Sequence, residues 1–193
     1  LPAFATPPII WQDEGVPISM AIGSQGDLQM VSDGAGGAII TWQDTRSTYY
    51  NIYAQRVNAS GTVQWTADGI AISIGDNLKR FQQIVSDGAS GAIIVWQDYR
   101  SDALGDIYAQ RVNASGAVQW SNDARICNAA EQQASPQIVS DGAGGAIITW
   151  EDYRTYPKDG TDRSIHGNIY AQRVNAAGTP QWTTNGQSVA VNI

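Results

Sequence analysis

Few side chains in this sequence could do chemistry, and most of those recur in three copies. The single histidine, His166, has no second histidine, nucleophile or base at a spacing that acid–base or metal chemistry requires. Asp44, Asp98 and Asp152 are each followed two residues later by an arginine. Because every copy carries this pair, we interpret it as a structural ion pair. We therefore predict that the protein is not an enzyme and uses no cofactor.

Two binding functions for the recurring groups stay open at this point. Carboxylates, amides and aromatic rings can together bind sugar hydroxyls, but the tryptophans near these aspartates lie inside apolar runs and favour the core. They are Trp42, Trp96 and Trp150. Calcium loops gather several oxygens at alternating positions. Each Asp-Gly-Ala sequence offers one carboxylate, at Asp33, Asp87 or Asp141, so we predict turn hydrogen bonds and no metal site.

The loops after the predicted second strands differ most between copies, and varied loops on a repeated frame are typical sites of recognition. The longest runs over 153–167. Its candidate ligand or partner residues are Tyr153, Arg154, Tyr156, Lys158 and Arg163. Asn58 and Asn113 begin Asn-Ala-Ser sequences and are candidate N-glycosylation sites, although a turn would also favour asparagine there.

An internal repeat is the strongest signal in the chain. The sequence Val-Ser-Asp-Gly recurs at Val31, Val85 and Val139, 54 residues apart, and each copy continues to Ile-Tyr-Ala-Gln-Arg-Val. A fixed period of this length is typical of stacked units that cannot bury their apolar faces alone. We therefore predict one continuous repeat array.

Within a unit the pattern predicts four short strands and no helix. In the first unit the strands are predicted at 29–32, 38–44, 52–57 and 62–66, the last continuing through 70–72. β-Branched and aromatic residues dominate the strands, whereas Gly, Asn and Asp fill the turns. The only cysteine, Cys127, aligns by count with Ile72 and Val189, which predicts a small buried hydrophobic residue.

The units resemble the blade repeats of secreted bacterial β-propeller proteins in two elements, Ser-Asp-Gly-x-Gly-Gly-x-Ile-Ile-x-Trp-x-Asp and Asp-Ile-Tyr-Ala-Gln-Arg-Val-x-Ala-x-Gly-x-x-x-Trp. The resemblance extends from Trp11 to Trp182 and implies an all-β fold of three four-stranded propeller-type blades. It implies little about activity, because propellers host many unrelated functions. The predicted parts are a tail with an extra fourth strand at 1–28 and blades at 29–82, 83–136 and 137–193.

The predicted strands exceed what three blades need. The segment 9–19 matches a fourth strand, because Trp11 stands 22 residues before Asp33, as Trp65 stands 22 before Asp87. Closed propellers have roughly four to eight blades, so we expect the surplus strand or whole arrays to associate with other copies into a ring or fibre. A fragment of a longer surface repeat protein is the alternative. The candidate assembly residues are Ile9, Ile10, Trp11, Val16, Ile18, Trp182 and Val189.

Charge and composition limit the partners. A net charge of −7 opposes nucleic acid and anionic lipid, and no apolar run has the length of a membrane span. The start at Leu1 and the high content of Asn, Gln, Thr and Gly indicate a processed extracellular or cell-surface protein. The leading hypothesis is a non-enzymatic structural protein that self-associates through its blades. The alternative is a lectin-like propeller that binds glycans.

Overall fold

A computed structural model of the chain describes residues 15–154 and 167–190. Within these ranges the chain forms twelve β-strands and no helix, which confirms the predicted all-β class. The strands form three separate four-stranded antiparallel sheets, each built from four consecutive strands. Among the described residues, no helix has the length and apolar character that crossing a membrane requires.

We number the sheets in chain order. Sheet 1 contains β1 (Gln25–Ser32), β2 (Ala38–Asp44), β3 (Asn51–Val57) and β4 (Ile70–Ser73). Sheet 2 contains β5 (Lys79–Ser86), β6 (Ala92–Asp98), β7 (Asp106–Val112) and β8 (Ala124–Cys127). Sheet 3 contains β9 (Gln133–Ser140), β10 (Ala146–Asp152), β11 (Asn168–Val174) and β12 (Gln187–Ala190).

The second and third strands of sheet 1 follow the sequence pattern, but β1 begins four residues before the predicted 29–32 and the fourth strand is displaced. β2 has its predicted bounds and β3 begins one residue early. The predicted fourth strand, 62–66, pairs only through an isolated bridge at Val63. The buried Gln55 side chain explains this, because its amide accepts from Trp65 N at 2.9 Å and donates to the Thr66 carbonyl at 2.8 Å. The side chain takes the place of ladder bonds, so β4 begins only after this segment.

The three sheets stack in chain order. We call the face of a sheet toward the next sheet its forward face and the opposite one its back face. The forward face of sheet 1 packs on the back face of sheet 2, with Ile39, Ile52, Trp65 and Ile72 against Ala92, Ile94, Trp96 and Val112. Sheet 2 packs on sheet 3 in the same way, with Ile93, Ile107, Trp120 and Ile126 against Ala146, Ile148, Trp150 and Val174. Each interior thus requires two adjacent units, as the repeat predicts.

The first strands of the sheets share a bulge. In β1 and β5 the pairing register shifts after the second residue. Asp27, Phe81 and Ser135 occupy equivalent positions in the three bulges, and their φ angles are 50°, 55° and 52°. This backbone region is uncommon for residues other than glycine, and a bulky side chain there is a clear outlier.

Cys127 is buried, as predicted, but at a different position from the predicted one. It pairs opposite Ile107, as Ser73 pairs opposite Ile52. Cys127 is therefore the equivalent of Ser73, and its predicted alignment with Ile72 is wrong by one residue. The cause is that the second unit has one residue fewer than the first between its tryptophan and its fourth strand.

Candidate functional site

The carboxylates at the ends of the second strands are held within their own units. Asp44 accepts hydrogen bonds from the Arg46 side chain at 2.6 Å and 3.0 Å and from Trp42 Nε1 at 2.9 Å. Burial raises the pKa of Asp44, but the hydrogen bonds from Arg46 and Trp42 outweigh it, so this pKa lies below its ordinary value. The Arg46 guanidinium also lies 3.8 Å from the centre of the Tyr53 ring. These bonds confirm the predicted structural ion pair.

The same arrangement recurs in the other sheets, with Arg100 on Asp98 and Arg154 on Asp152 at 2.6 Å each. The tryptophans beside these carboxylates, predicted to be core residues, are fully buried. A sugar therefore cannot stack on them. In each sheet the aspartate, arginine and tryptophan of this arrangement are therefore bonded to one another.

The carboxylates in the Asp-Gly-Ala turns form the hydrogen bonds predicted for them. Asp33 Oδ1 accepts from the amides of Ala35 and Gly37 at 2.8 Å each, and Asp33 Oδ2 accepts from the Arg56 guanidinium at 2.9 Å and 3.0 Å. Burial raises the pKa of Asp33, but these hydrogen bonds outweigh it and lower that pKa. Within the described ranges no group of three or more acidic, histidine or cysteine side chains is placed to hold a metal ion.

A polar contact crosses each boundary between sheets, and we call it the seam contact. Trp65 Nε1 and Arg56 Nη1 of sheet 1 both donate to the Ala114 carbonyl in the turn after β7, at 3.0 Å and 3.2 Å. The Trp65 ring lies on Gly116 of that turn, where an added Cβ would stand 2.8 Å from Trp65 Cγ. The turn therefore requires glycine both for this approach and for its φ of 86°.

The seam contact occurs again between sheet 2 and sheet 3. On the forward face of sheet 3 its donors have no acceptor among the described residues. Trp120 Nε1 and Arg111 Nη1 donate to the Ala176 carbonyl of sheet 3 at 3.1 Å and 3.2 Å. In sheet 3 the equivalent donors are Trp182 Nε1 and Arg173 Nη1, and neither donates to a described residue.

The forward face of sheet 3 is correspondingly exposed. Trp182 is 39% exposed, whereas the equivalent Trp65 and Trp120 are 8% and 6% exposed. Val189 is 65% exposed, whereas its equivalents Ile72 and Ile126 are 4% and 2% exposed. We call this surface the open face and define it by Ile147, Ile169, Arg173, Trp182 and Val189.

The back face of sheet 1 is partly covered by the chain itself. Ile18 packs against Ala38, Ile40, Trp42 and Val57. These four are the equivalents of Ala92, Ile94, Trp96 and Val112 of sheet 2, which share a core cluster with Ile72. Ile18 thus takes on sheet 1 the place that Ile72 takes on sheet 2. Residues 15–24 contain no strand, and Val16 is half-buried.

A second surface, which the sequence did not predict, lies around Phe81. Two adjoining cavities of ≈ 380 Å³ and ≈ 330 Å³ meet there, and both are lined by Asp27 and Phe81. The larger follows the first strands of all three sheets, and the smaller lies between sheet 1 and sheet 2. The repeat pattern gave no signal for this place, because its key residues differ between units.

The remaining candidate residues have structural partners or lie outside the described ranges. Tyr153 donates to Glu151 at 2.9 Å, and Arg154 binds Asp152, so both are tied to their own sheet. Asn58 Oδ1 accepts hydrogen bonds from the backbone amides of Ser60 and Thr62. Asn113 Oδ1 accepts equivalent bonds from the amides of Ser115 and Ala117. The candidates outside the described residues are Ile9, Ile10, Trp11, Tyr156, Lys158, Arg163 and His166.

Two surfaces are therefore candidates for binding, namely the open face of sheet 3 and the cavities around Phe81.

A comparison with known protein families finds no match for this chain, and neither does a comparison with curated protein sequences.

Proposed function

We propose that this chain is a non-enzymatic, extracellular structural protein whose sheets are propeller-type blades and which self-associates through them. The observation that carries the proposal is the open face of sheet 3. Its residues are the equivalents of those that form both internal boundaries, yet Ile169, Trp182 and Val189 are exposed. A contiguous apolar patch that also carries hydrogen-bond donors without acceptors is typical of an interaction surface.

Hydrophobic burial would supply most of the driving force. Fully burying a valine, isoleucine or similar side chain contributes roughly 1.5–3 kcal/mol. Each of three exposed side chains would contribute in this way, namely Ile169, Trp182 and Val189. Their summed burial would offset the entropy lost on association. The two internal boundaries of the chain show how such a face is covered.

The occupant that fits the open face is the back face of sheet 1 in a second copy. A back face of the same repeat covers each internal forward face, and its turn supplies the carbonyl of the seam contact. In the second copy that face carries its own Ile18. Val189 of one copy would therefore compete with Ile18 of the next copy for the same place on the back face of sheet 1. On association Val189 would displace Ile18 from that place.

Sedimentation of the full chain over a range of concentrations tests the proposal. We expect the wild type to associate as concentration rises and Val189→Asp to remain monomeric, because the charge would be buried without a partner. Leu104→Asp is the matched control, since Leu104 is exposed and lies in the loop after β6, outside both the open face and the back face of sheet 1. A wild type that stays monomeric throughout, or a Val189→Asp variant that associates normally, would refute the proposal.

A further inference from the structure

The backbone at position 81 has a conformation that disfavours phenylalanine. Its φ of 55° lies in the left-handed region, which is unfavourable for a bulky residue. At the same position the other units carry a small polar residue, Asp27 or Ser135. The phenyl ring gains little from burial, because Phe81 is 51% exposed. Strained residues of this kind concentrate at binding sites, where a ligand contact accounts for them.

The two cavities beside Phe81 each contain a buried polar atom without a partner. Gln43 lines the smaller cavity, and its Nε2 has no hydrogen-bond acceptor. Gln82 lines the larger cavity, where Nε2 donates to the Asp27 carbonyl and Oε1 has no donor. Both side chains are more than nine-tenths buried. An unsatisfied buried amide destabilises the fold, and a bound ligand that supplies the missing partner would recover that free energy.

The equivalents of Gln43 show that its free donor is a local feature. Gln97 Nε2 of sheet 2 donates to the Leu104 carbonyl at 3.2 Å, and Glu151 of sheet 3 accepts from Tyr153. Only in sheet 1, among the described units, does this position direct an unused donor toward a cavity.

The remaining lining indicates the class of ligand. Asp27 and Arg80 carry opposite charges and Tyr50 adds a phenol, so the smaller cavity offers donors and acceptors without a net charge. Phe81 adds an exposed aromatic face between the two cavities. We propose that the cleft around Phe81 binds a neutral carbohydrate whose rings pack on Phe81 and whose hydroxyl groups bind Gln43 and Gln82.

A glycan array that contains neutral and acidic oligosaccharides tests this site, followed by calorimetric titration of the full chain with the best-retained neutral trisaccharide. We expect neutral glycans to be retained. Phe81→Ser copies the residue that the bulge of sheet 3 already carries, so it should lower affinity at least tenfold without lowering the melting temperature. If Phe81→Ser does lower the melting temperature, Gln43→Leu must show the same loss of affinity in a folded protein.

Two control variants separate this site from other surfaces. Leu104→Ser removes an exposed apolar side chain outside the cleft, and Val189→Asp alters only the open face. Both should bind the trisaccharide as the wild type does. The proposal is overturned if the array retains no glycan or only acidic ones, or if Phe81→Ser and Gln43→Leu both bind within twofold of the wild type.

Discussion

Lys79 Nζ donates a hydrogen bond to Asn51 Oδ1 at 3.2 Å, across the boundary between sheet 1 and sheet 2. At the next boundary the equivalent residues are Gln133 and Asp106. Burial raises the pKa of Asp106, and its Oδ2 has no hydrogen-bond partner in the described part of the chain. The second boundary therefore contains a buried carboxylate and lacks the ammonium group that the first one has.

Gln133→Lys should stabilise the protein by supplying this ammonium. A hydrogen bond to a charged group contributes about 1.5–3 kcal/mol, so we expect the free energy of unfolding in urea at pH 7 to rise by about that amount. Gln133→Met is the control, because it changes the side chain without adding charge. An unchanged or lower stability in Gln133→Lys would show that the Asp106 carboxylate is already compensated.

Asp106→Asn should alter the dependence of stability on pH. Because the folded protein binds the Asp106 proton more tightly than the unfolded chain does, this residue favours folding at low pH. That contribution is lost as pH rises from the ordinary carboxyl range through the raised pKa. We expect the melting temperature of the wild type to fall, relative to Asp106→Asn, between these two pH values. Parallel curves for the two proteins would contradict the expectation.

Trp65→Phe and Trp182→Phe form a matched pair that measures the seam contact. Trp65 Nε1 donates to the Ala114 carbonyl at 3.0 Å, whereas Trp182 Nε1 donates to no described residue. Loss of a net hydrogen bond costs about 1 kcal/mol. Because Trp65 also loses more buried ring contact, we expect Trp65→Phe to be less stable than Trp182→Phe by at least this amount in urea unfolding. Equal losses would mean that the Nε1 group contributes nothing.

Ile18→Asp should promote self-association. Ile18 covers the place on the back face of sheet 1 that a neighbouring Val189 would take, and a charge there weakens this cover. We expect association at lower protein concentration than in the wild type, measured by sedimentation. If association is lost instead, the N-terminal segment itself makes the contact between copies, as the surplus strand in the sequence suggests.

Cys127 should resist alkylation in the folded protein. The thiol is fully buried, and burial raises its pKa to about 12, so almost no thiolate exists near neutral pH. Iodoacetamide at pH 8 should modify Cys127 only at the rate of unfolding, with complete reaction in urea. Rapid modification under native conditions would show that the boundary between sheet 2 and sheet 3 opens readily.

The sequence predicts the strands and turns within each unit far better than it predicts long-range contacts and the burial of equivalent residues in different units. The β-branched run of β2 and the glycines after Asp33 give the strand and the turn directly. The fourth strand is displaced because the Gln55 side chain bonds the backbone of residues 65–66, a long-range contact that propensity does not encode. Trp65 and Trp182 lie in the same repeat motif and differ in burial only through their neighbours.

The Phe81 cleft could not be predicted for a different reason. Backbone propensity disfavours phenylalanine at a φ of 55°, and the first strand that the pattern predicts, 29–32 in the first unit, begins only after this bulge. The only sequence signal is negative. Position 81 is one where the units disagree, with aspartate at 27 and serine at 135.

The seam contact also gives a stack of these sheets a direction. Donors stand on every forward face, and the accepting carbonyl belongs to the sheet that follows. A twofold axis would place Trp182 against Trp182 and leave both without an acceptor, so this contact cannot close a symmetric dimer. A polymer built on it would have two unlike ends, and subunits would add to each by a different exchange.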